Sequence, residues 1–187
     1  MVDWSTLDTV FLDMDGTLLD LHFDNYFWEY LVPGTYGERH GLDAAQAWDH
    51  LVHHFGGQQG TLNWYCVDYW TSNLELDIRG MKRGIRDRIA IRPRVPQLLQ
   101  RLQEHGKKIL LVTNAHPMSL ALKMEHTGLE GNFHAMFSSH DLGLAKEDAG
   151  FWMQLRERED YDPARSVLVD DNVAVLSRAR EEGIRHL

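Results

Sequence analysis

The sequence holds a single cysteine, Cys66, in 187 residues, so no disulfide forms within the chain and a reducing cytoplasm is the expected location. Proline is scarce as well, at five residues, and there is no internal repeat and no low-complexity stretch; disorder, collagen and coiled coil are excluded. No window approaches the about 18 consecutive apolar residues that a membrane-spanning helix needs. The opening Met1-Val2-Asp3-Trp4-Ser5 lacks the basic-then-apolar profile of a signal peptide. Positive charge is in deficit too, with 19 Lys and Arg against 28 Asp and Glu and a net charge of −9. A chain of that sign repels nucleic-acid backbones and anionic bilayers, so neither is expected as a partner. What remains, 43% apolar and 25% charged residues, is ordinary globular composition, and the length supports a sizeable core in one domain, with or without an insertion.

Short apolar runs bounded by polar residues mark buried parallel strands: Val10-Phe11-Leu12, Ile109-Leu110-Leu111-Val112 and Val167-Leu168-Val169, with a weaker run at Ala135-Met136-Phe137 and a fifth at residues 184–187. Helical patterns lie between them, over 95–104 (stopped by Gly106), 119–125 (stopped by Gly128), 148–158 and 172–182, the last with Asn172 as N-cap and Gly183 at its end. Strand then helix, repeated, predicts an α/β fold with a doubly wound parallel sheet. Residues 20–91 break the rhythm, for they lack a convincing strand and hold 12 of the chain's 19 aromatic residues. The expected organisation is a core of 1–19 and 92–187 with a helical cap of 20–91 inserted after the first strand. The cap's helices are expected at 25–31, 44–54 and 62–74, separated by Pro33-Gly34, Gly56-Gly57 and Gly60.

In an open parallel sheet, ligands bind beyond the carboxyl ends of the strands, so the residues that follow each apolar run converge. Those residues are Asp13-Met14-Asp15-Gly16-Thr17, Thr113-Asn114, Lys146 and Asp170-Asp171. Acids, a hydroxyl and an ammonium at one rim suit a divalent cation together with a phosphoryl group. Mg²⁺ takes oxygen ligands and keeps several waters, so a few carboxylates suffice, and Asp13, Asp170 and Asp171 can supply them. Because Gly16 lets the chain turn, Asp13 can face the phosphorus as nucleophile while Asp15 faces the leaving oxygen as general acid and then base. Thr113, Asn114 and Lys146 suit the charge on the transferring phosphoryl oxygens.

These four segments, in this order and across nearly the whole chain, resemble the motifs of the haloacid dehalogenase superfamily. The second acid, Asp15, sets the sequence apart from the dehalogenases proper and favours phosphoryl transfer. Flanking residues, Leu19-Asp20-Leu21, Phe23-Asp24-Asn25-Tyr26-Phe27-Trp28, Thr61-Leu62-Asn63-Trp64-Tyr65-Cys66 and Thr113-Asn114-Ala115-His116-Pro117, resemble the bacterial GMP/IMP nucleotidase group. The resemblance implies a Mg²⁺-dependent phosphomonoesterase that hydrolyses purine 5′-nucleotides through an aspartyl phosphate. It implies Asp13, Asp15, Thr113 and Lys146 as catalytic residues, Thr113, Asn114 and Lys146 at the substrate, and Asp13, Asp15, Asp170 and Asp171 at the metal. A monomer or homodimer acting on a small phosphomonoester is expected. The alternative within the same chemistry is a phosphatase or phosphomutase for phosphoglycolate or a sugar phosphate. A receiver-type phospho-acceptor module is disfavoured, since its acid pair precedes its acceptor Asp and here Asp170 lies 157 residues after Asp13. The sequence departs from the family pattern in having Ala145 where a proline ordinarily precedes the lysine, and in stopping at Leu187 inside an expected strand.

Other features have plainer readings. His50, His53 and His54 share a helix face at a zinc-compatible spacing, but with only Asp49 beside them a solvated face is the reading adopted. The basic run from Arg79 to Arg94, Lys82 included, reads as a solvated helix and linker. The cap aromatics are mostly its core, with Trp64, Tyr65 and Trp70 as candidates for stacking on a purine.

Overall fold

In a computed structural model, which describes residues 3–187, four parallel strands lie in the order β3-β2-β1-β4: β1 Thr9–Leu12, β2 Lys108–Thr113, β3 Ala135–Ser138 and β4 Ser166–Val169. Every residue of central β1 is buried, as expected of a strand covered on both faces. Side-chain alternation divides the core in two. Val10, Leu12, Ile109 and Leu111 pack on one face with Leu99 and Leu102 of α7 (Val95–Glu104) and with Leu120 and Met124 of α8 (Pro117–Thr127). On the other face, Phe11, Leu110, Val112 and Leu168 meet Phe151, Trp152 and Leu155 of α10 (Phe151–Arg158) and Val175 and Ala179 of α11 (Val173–Glu181). Helices on both faces of an all-parallel sheet make this the doubly wound α/β fold that the alternating pattern predicts.

Three strands and their order in the chain match the clear apolar runs, and the weaker run is β3. The fifth run differs: near the C-terminus only a single bridge forms, between Val167 and His186, with the Leu168 amide donating to the His186 carbonyl (3.0 Å). The helix expected from residue 148 begins at Phe151, because Gly150 at φ 89° holds a left-handed turn. Asn172 caps α11, its side chain accepting from the Ala174 amide.

Between β1 and α7, helices α1 (His22–Tyr26), α2 (Val32–His40), α3 (Ala44–Gly56), α4 (Leu62–Tyr65), α5 (Val67–Leu74) and α6 (Ile78–Gly84) gather around their own apolar cluster. Phe27, Leu51, Phe55, Trp70 and Ile78 form it, and Met118 reaches in from α8. Pro33-Gly34 does not separate two helices, as the sequence suggests. A wide π turn at Phe27–Leu31 joins α1 to α2, with the Val32 amide bonding to the Phe27 carbonyl, and the missing N–H of Pro33 falls where the ladder returns to its normal spacing. The single helix expected over 62–74 is broken at Cys66, whose backbone is extended while its sulfur accepts from the Tyr69 amide at the start of α5. No helix among the described residues is long and apolar enough to cross a membrane.

Candidate active site

Parallel register places the carboxyl ends of β1, β2 and β4 side by side, for Leu12 is paired with both Leu111 and Val169. Asp13 follows β1, its amide donating to the Val169 carbonyl, and its side chain is buried. Lys146, 2% exposed, extends its ammonium from the loop after α9 (Ser139–Leu142) to Asp13 Oδ1 (2.5 Å), Asp170 Oδ2 (2.6 Å) and the Val112 carbonyl (3.1 Å). Burial pushes the Asp13 carboxyl up to about 7 against the pull of Lys146, with the neighbouring Asp170 and Asp15 adding to the rise. Burial works against the Lys146 charge, but Asp13 and Asp170 outweigh it and hold the ammonium above its ordinary value.

One oxygen each from Asp13, Asp170 and Asp171 lies within 4.8 Å of the other two. Three hard carboxylate oxygens at such spacing fit a Mg²⁺ that keeps waters in its remaining positions. Gly16 supports the same fit. At φ +86° its backbone suits glycine, and a Cβ there would meet Asp171 Oδ2 at 2.1 Å, so the missing side chain is the space Asp171 occupies.

The Asp15 carboxylate lies outside that group of three and is bonded to a lysine instead. Lys123 of α8, fully buried, donates to Asp15 Oδ1 (2.7 Å) and to Asp24 Oδ2 (2.6 Å), and Lys82 of α6 reaches Asp24 Oδ1 (3.2 Å). Desolvation raises the Asp15 carboxyl while Lys123 opposes the rise. Asp24 goes the other way: burial notwithstanding, Lys123 and Lys82 hold it down at about 2. Lys82 therefore does not belong to a solvated basic stripe. It is 3% exposed, with its ammonium 4.5 Å from the centre of the Phe27 ring. Sequence reasoning missed Asp24, Lys82 and Lys123. The available signal was Lys123, a lysine on the face of α8 that carries Leu120 and Met124.

Thr113 ends β2, buried, its hydroxyl accepting from the Ala115 amide (3.0 Å). Asn114 accepts from the Lys146 amide (2.8 Å) and donates to Glu147 Oε2 (2.8 Å), while the Tyr65 hydroxyl of α4 donates to Glu147 Oε1 (2.9 Å). That bridge joins the helical insertion to the rim of the sheet; burial, with the Glu147 charge beside it, pushes the Tyr65 phenol well above the usual tyrosine range. The lysine loop needs no proline: the Ala145 amide, which a proline would lack, donates to Asp148 Oδ2 (2.8 Å). A cavity of about 430 Å³ opens over Asp13, Asp15, Thr113, Asn114, Lys146, Asp170 and Asp171, walled on the insertion side by Trp28, Trp48, Trp64 and Tyr65. Trp70 touches it but is 1% exposed and spends its indole N–H on the Trp64 carbonyl, so it is core.

A family model described as haloacid dehalogenase-like hydrolase matches residues 7–181. The chain belongs to the haloacid dehalogenase-like hydrolase family. It is 43% identical over 99% of its length, and over 83% of the relative's, to the GMP/IMP nucleotidase YrfG of Escherichia coli (strain K12). Among solved structures of this fold, a haloacid dehalogenase phosphatase from Thermococcus onnurineus aligns with a TM-score of 0.84 at 20% identity, covering 95% of this chain and 84% of its own. A family enzyme from Bacteroides thetaiotaomicron, in complex with magnesium and inorganic phosphate, aligns at 0.70 with 16% identity, covering 97% and 93%. These two likenesses concern the fold, and this chain is a hydrolase of the family.

Proposed function

We propose that the chain is a Mg²⁺-dependent phosphomonoesterase for purine 5′-nucleotides, with Asp13 as nucleophile and Asp15 as general acid and base. The observation that carries it is the buried Asp13 held by Lys146 beside Asp170 and Asp171, a carboxylate fixed at a strand end under a cavity of nucleotide-compatible size. An Asp13 carboxylate oxygen attacks phosphorus and the bond to the leaving oxygen breaks, that oxygen taking the Asp15 proton. Water then attacks the aspartyl phosphate and gives its proton to Asp15; the bond from phosphorus to Asp13 breaks and inorganic phosphate departs. Thr113, Asn114 and Lys146 bind the phosphoryl oxygens, and Lys146 also orients Asp13. Asp13, Asp170 and Asp171 would hold Mg²⁺, which when bound neutralises charge on the phosphoryl group. Residues 20–91 act as the cap over the core of 1–19 and 92–187, excluding bulk water and presenting Trp28, Trp48 and Trp64 to the base.

Support for the purine comes from the 43% identity to a GMP/IMP nucleotidase and from the aromatic wall. Phosphate release from a panel of nucleotides, sugar phosphates and phosphoglycolate, with Mg²⁺ and with EDTA, tests the reading. Preferential release from GMP or IMP, silenced by EDTA, is expected. Faster release from phosphoglycolate or a sugar phosphate would move the substrate to the small phosphometabolites, and full activity in EDTA would remove the metal.

A further inference from the structure

A second cluster with ligand chemistry lies at the seam between the helical insertion and the sheet. Cys66 sits at the break between α4 and α5, His116 in the loop leading from β2 into α8, and His140 at the start of α9. One ligand atom from each lies within 4.8 Å of the other two. His140 Nε2 is the one buried side-chain nitrogen or oxygen among the described residues without a hydrogen-bond partner, and an orphaned buried nitrogen calls for an explanation. The geometry points to a site for a borderline-soft transition metal such as Zn²⁺, held by Cys66, His116 and His140 and tying the insertion to the sheet.

One sulfur and two imidazole nitrogens suit zinc as hard carboxylates suit magnesium, so the two sites select different ions. Tetrahedral zinc with such ligands sets them about 3.3–3.6 Å apart, so atoms already within 4.8 Å of one another reach that spacing by side-chain movement of at most about an ångström each. The Asp68 carboxylate, with Oδ2 3.5 Å from His116 Nε2, stands beside the fourth position. Binding through His116 Nε2 leaves the proton on Nδ1, at the expense of the long 3.3 Å bond that the Met118 amide donates there. His140 loses nothing, and Cys66 gives up its thiol proton to solvent. Because Cys66 follows Tyr65 and His116 lies two residues beyond Asn114, a metal here clamps the segment that also carries the Tyr65–Glu147–Asn114 bridge. The site does not depend on the nucleotidase reading.

The test uses the full chain, stripped of metal and held in excess Mg²⁺, titrated with Zn²⁺. One zinc per chain is expected. Cys66→Ser and His140→Gln should each weaken it by more than about 100-fold, beyond the usual effect of losing an outer-shell partner, while Asp170→Asn should leave it intact. Co²⁺ in the same site should give a sulfur-to-cobalt charge-transfer absorption that Cys66→Ser abolishes. The wild-type chain offers a readout without any variant: Cys66 is the sole thiol, so its alkylation reports this site alone, and Zn²⁺ but not Mg²⁺ should slow it at least tenfold. Zinc uptake that survives Cys66→Ser or disappears in Asp170→Asn, or an alkylation rate unchanged by Zn²⁺, overturns the assignment.

Discussion

Replacing Asp24 by Asn tests the buried charges behind Asp15. Asp24 takes Lys82 on one oxygen and Lys123 on the other, at 3.2 and 2.6 Å, and both lysines are almost fully buried. At pH 7 the amide leaves two buried ammoniums to share Asp15, and breaking a buried pair costs about 3–5 kcal/mol. For a chain of 187 residues that lowers Tm by roughly 6–20 °C. The pH dependence follows from the depressed carboxyl, about 2 in the fold against an ordinary 3.8. A folded value below the unfolded one means that the stabilisation is present above pH 4 and lost as pH falls through 2. Its full size is about 2 kcal/mol, and about half is gone by pH 3. Urea unfolding of wild type and Asp24→Asn at pH 7 and pH 3 should therefore show the difference in stability narrowing by about 1 kcal/mol. A difference below 1 kcal/mol at pH 7, or one that widens on acidification, would refute the account.

Asp13→Asn should abolish phosphate release while circular dichroism reports an intact fold, because it removes the proposed nucleophile without disturbing the sheet. Asp15→Asn should slow GMP hydrolysis far more than that of p-nitrophenyl phosphate, whose leaving group needs no proton; equal losses would sink the acid assignment. For Gly16→Ala, the 2.1 Å approach to Asp171 Oδ2 predicts displaced metal binding, with a higher Mg²⁺ concentration for half-maximal rate, alongside about 1–2 kcal/mol from the left-handed backbone. Trp64→Ala or Trp48→Ala, if a base stacks there, should raise KM for GMP roughly 5- to 150-fold, equivalent to about 1–3 kcal/mol, and leave p-nitrophenyl phosphate nearly unchanged. Trp70→Ala should instead lower Tm and impair both substrates together, since that indole is packed core.

The sheet and the rim of the site were legible for one reason: β1, β2 and β4 are short apolar runs that end in polar residues, and parallel register carries those ends to a common edge. Asp13, Asp170 and Asp171 could be grouped from strand order alone, whereas Lys146, eight residues beyond β3, was grouped with them by the order of the family's motifs. What stayed hidden depends on side chains that meet across the seam with the insertion. Nothing in Phe23-Asp24-Asn25 announces that Asp24 will accept two ammoniums, because its partners lie 58 and 99 residues away. Lys82 sat among arginines and read as surface, whereas its aliphatic stem and the Phe23, Phe27 and Trp28 rings bury it. Asp15 was read as both metal ligand and acid, and spacing does not say that a buried Lys123 bonds its carboxylate. Periodicity ran one helix through Cys66, since a break made by an extended backbone and a sulfur cap leaves no mark in apolar spacing.

The insertion begins after Leu19 and ends before Ile91, and those two residues form an antiparallel bridge. Asp20 donates to the Ala90 carbonyl at 3.0 Å, Arg92 donates from its backbone to the Leu18 carbonyl at 2.9 Å, and its guanidinium reaches the Gly16 carbonyl at 2.8 Å. An excursion of some seventy residues thus starts and finishes at one point, like a bead hung on a doubled thread. The entropy of closing such an excursion grows only logarithmically, by about 0.6 kcal/mol for each doubling of its length, so closure costs nearly the same whatever length is strung there. What fixes the insertion beyond this stitch is its side chains, Asp24 on Lys123 and Tyr65 on Glu147, and not the length of chain between the two threads.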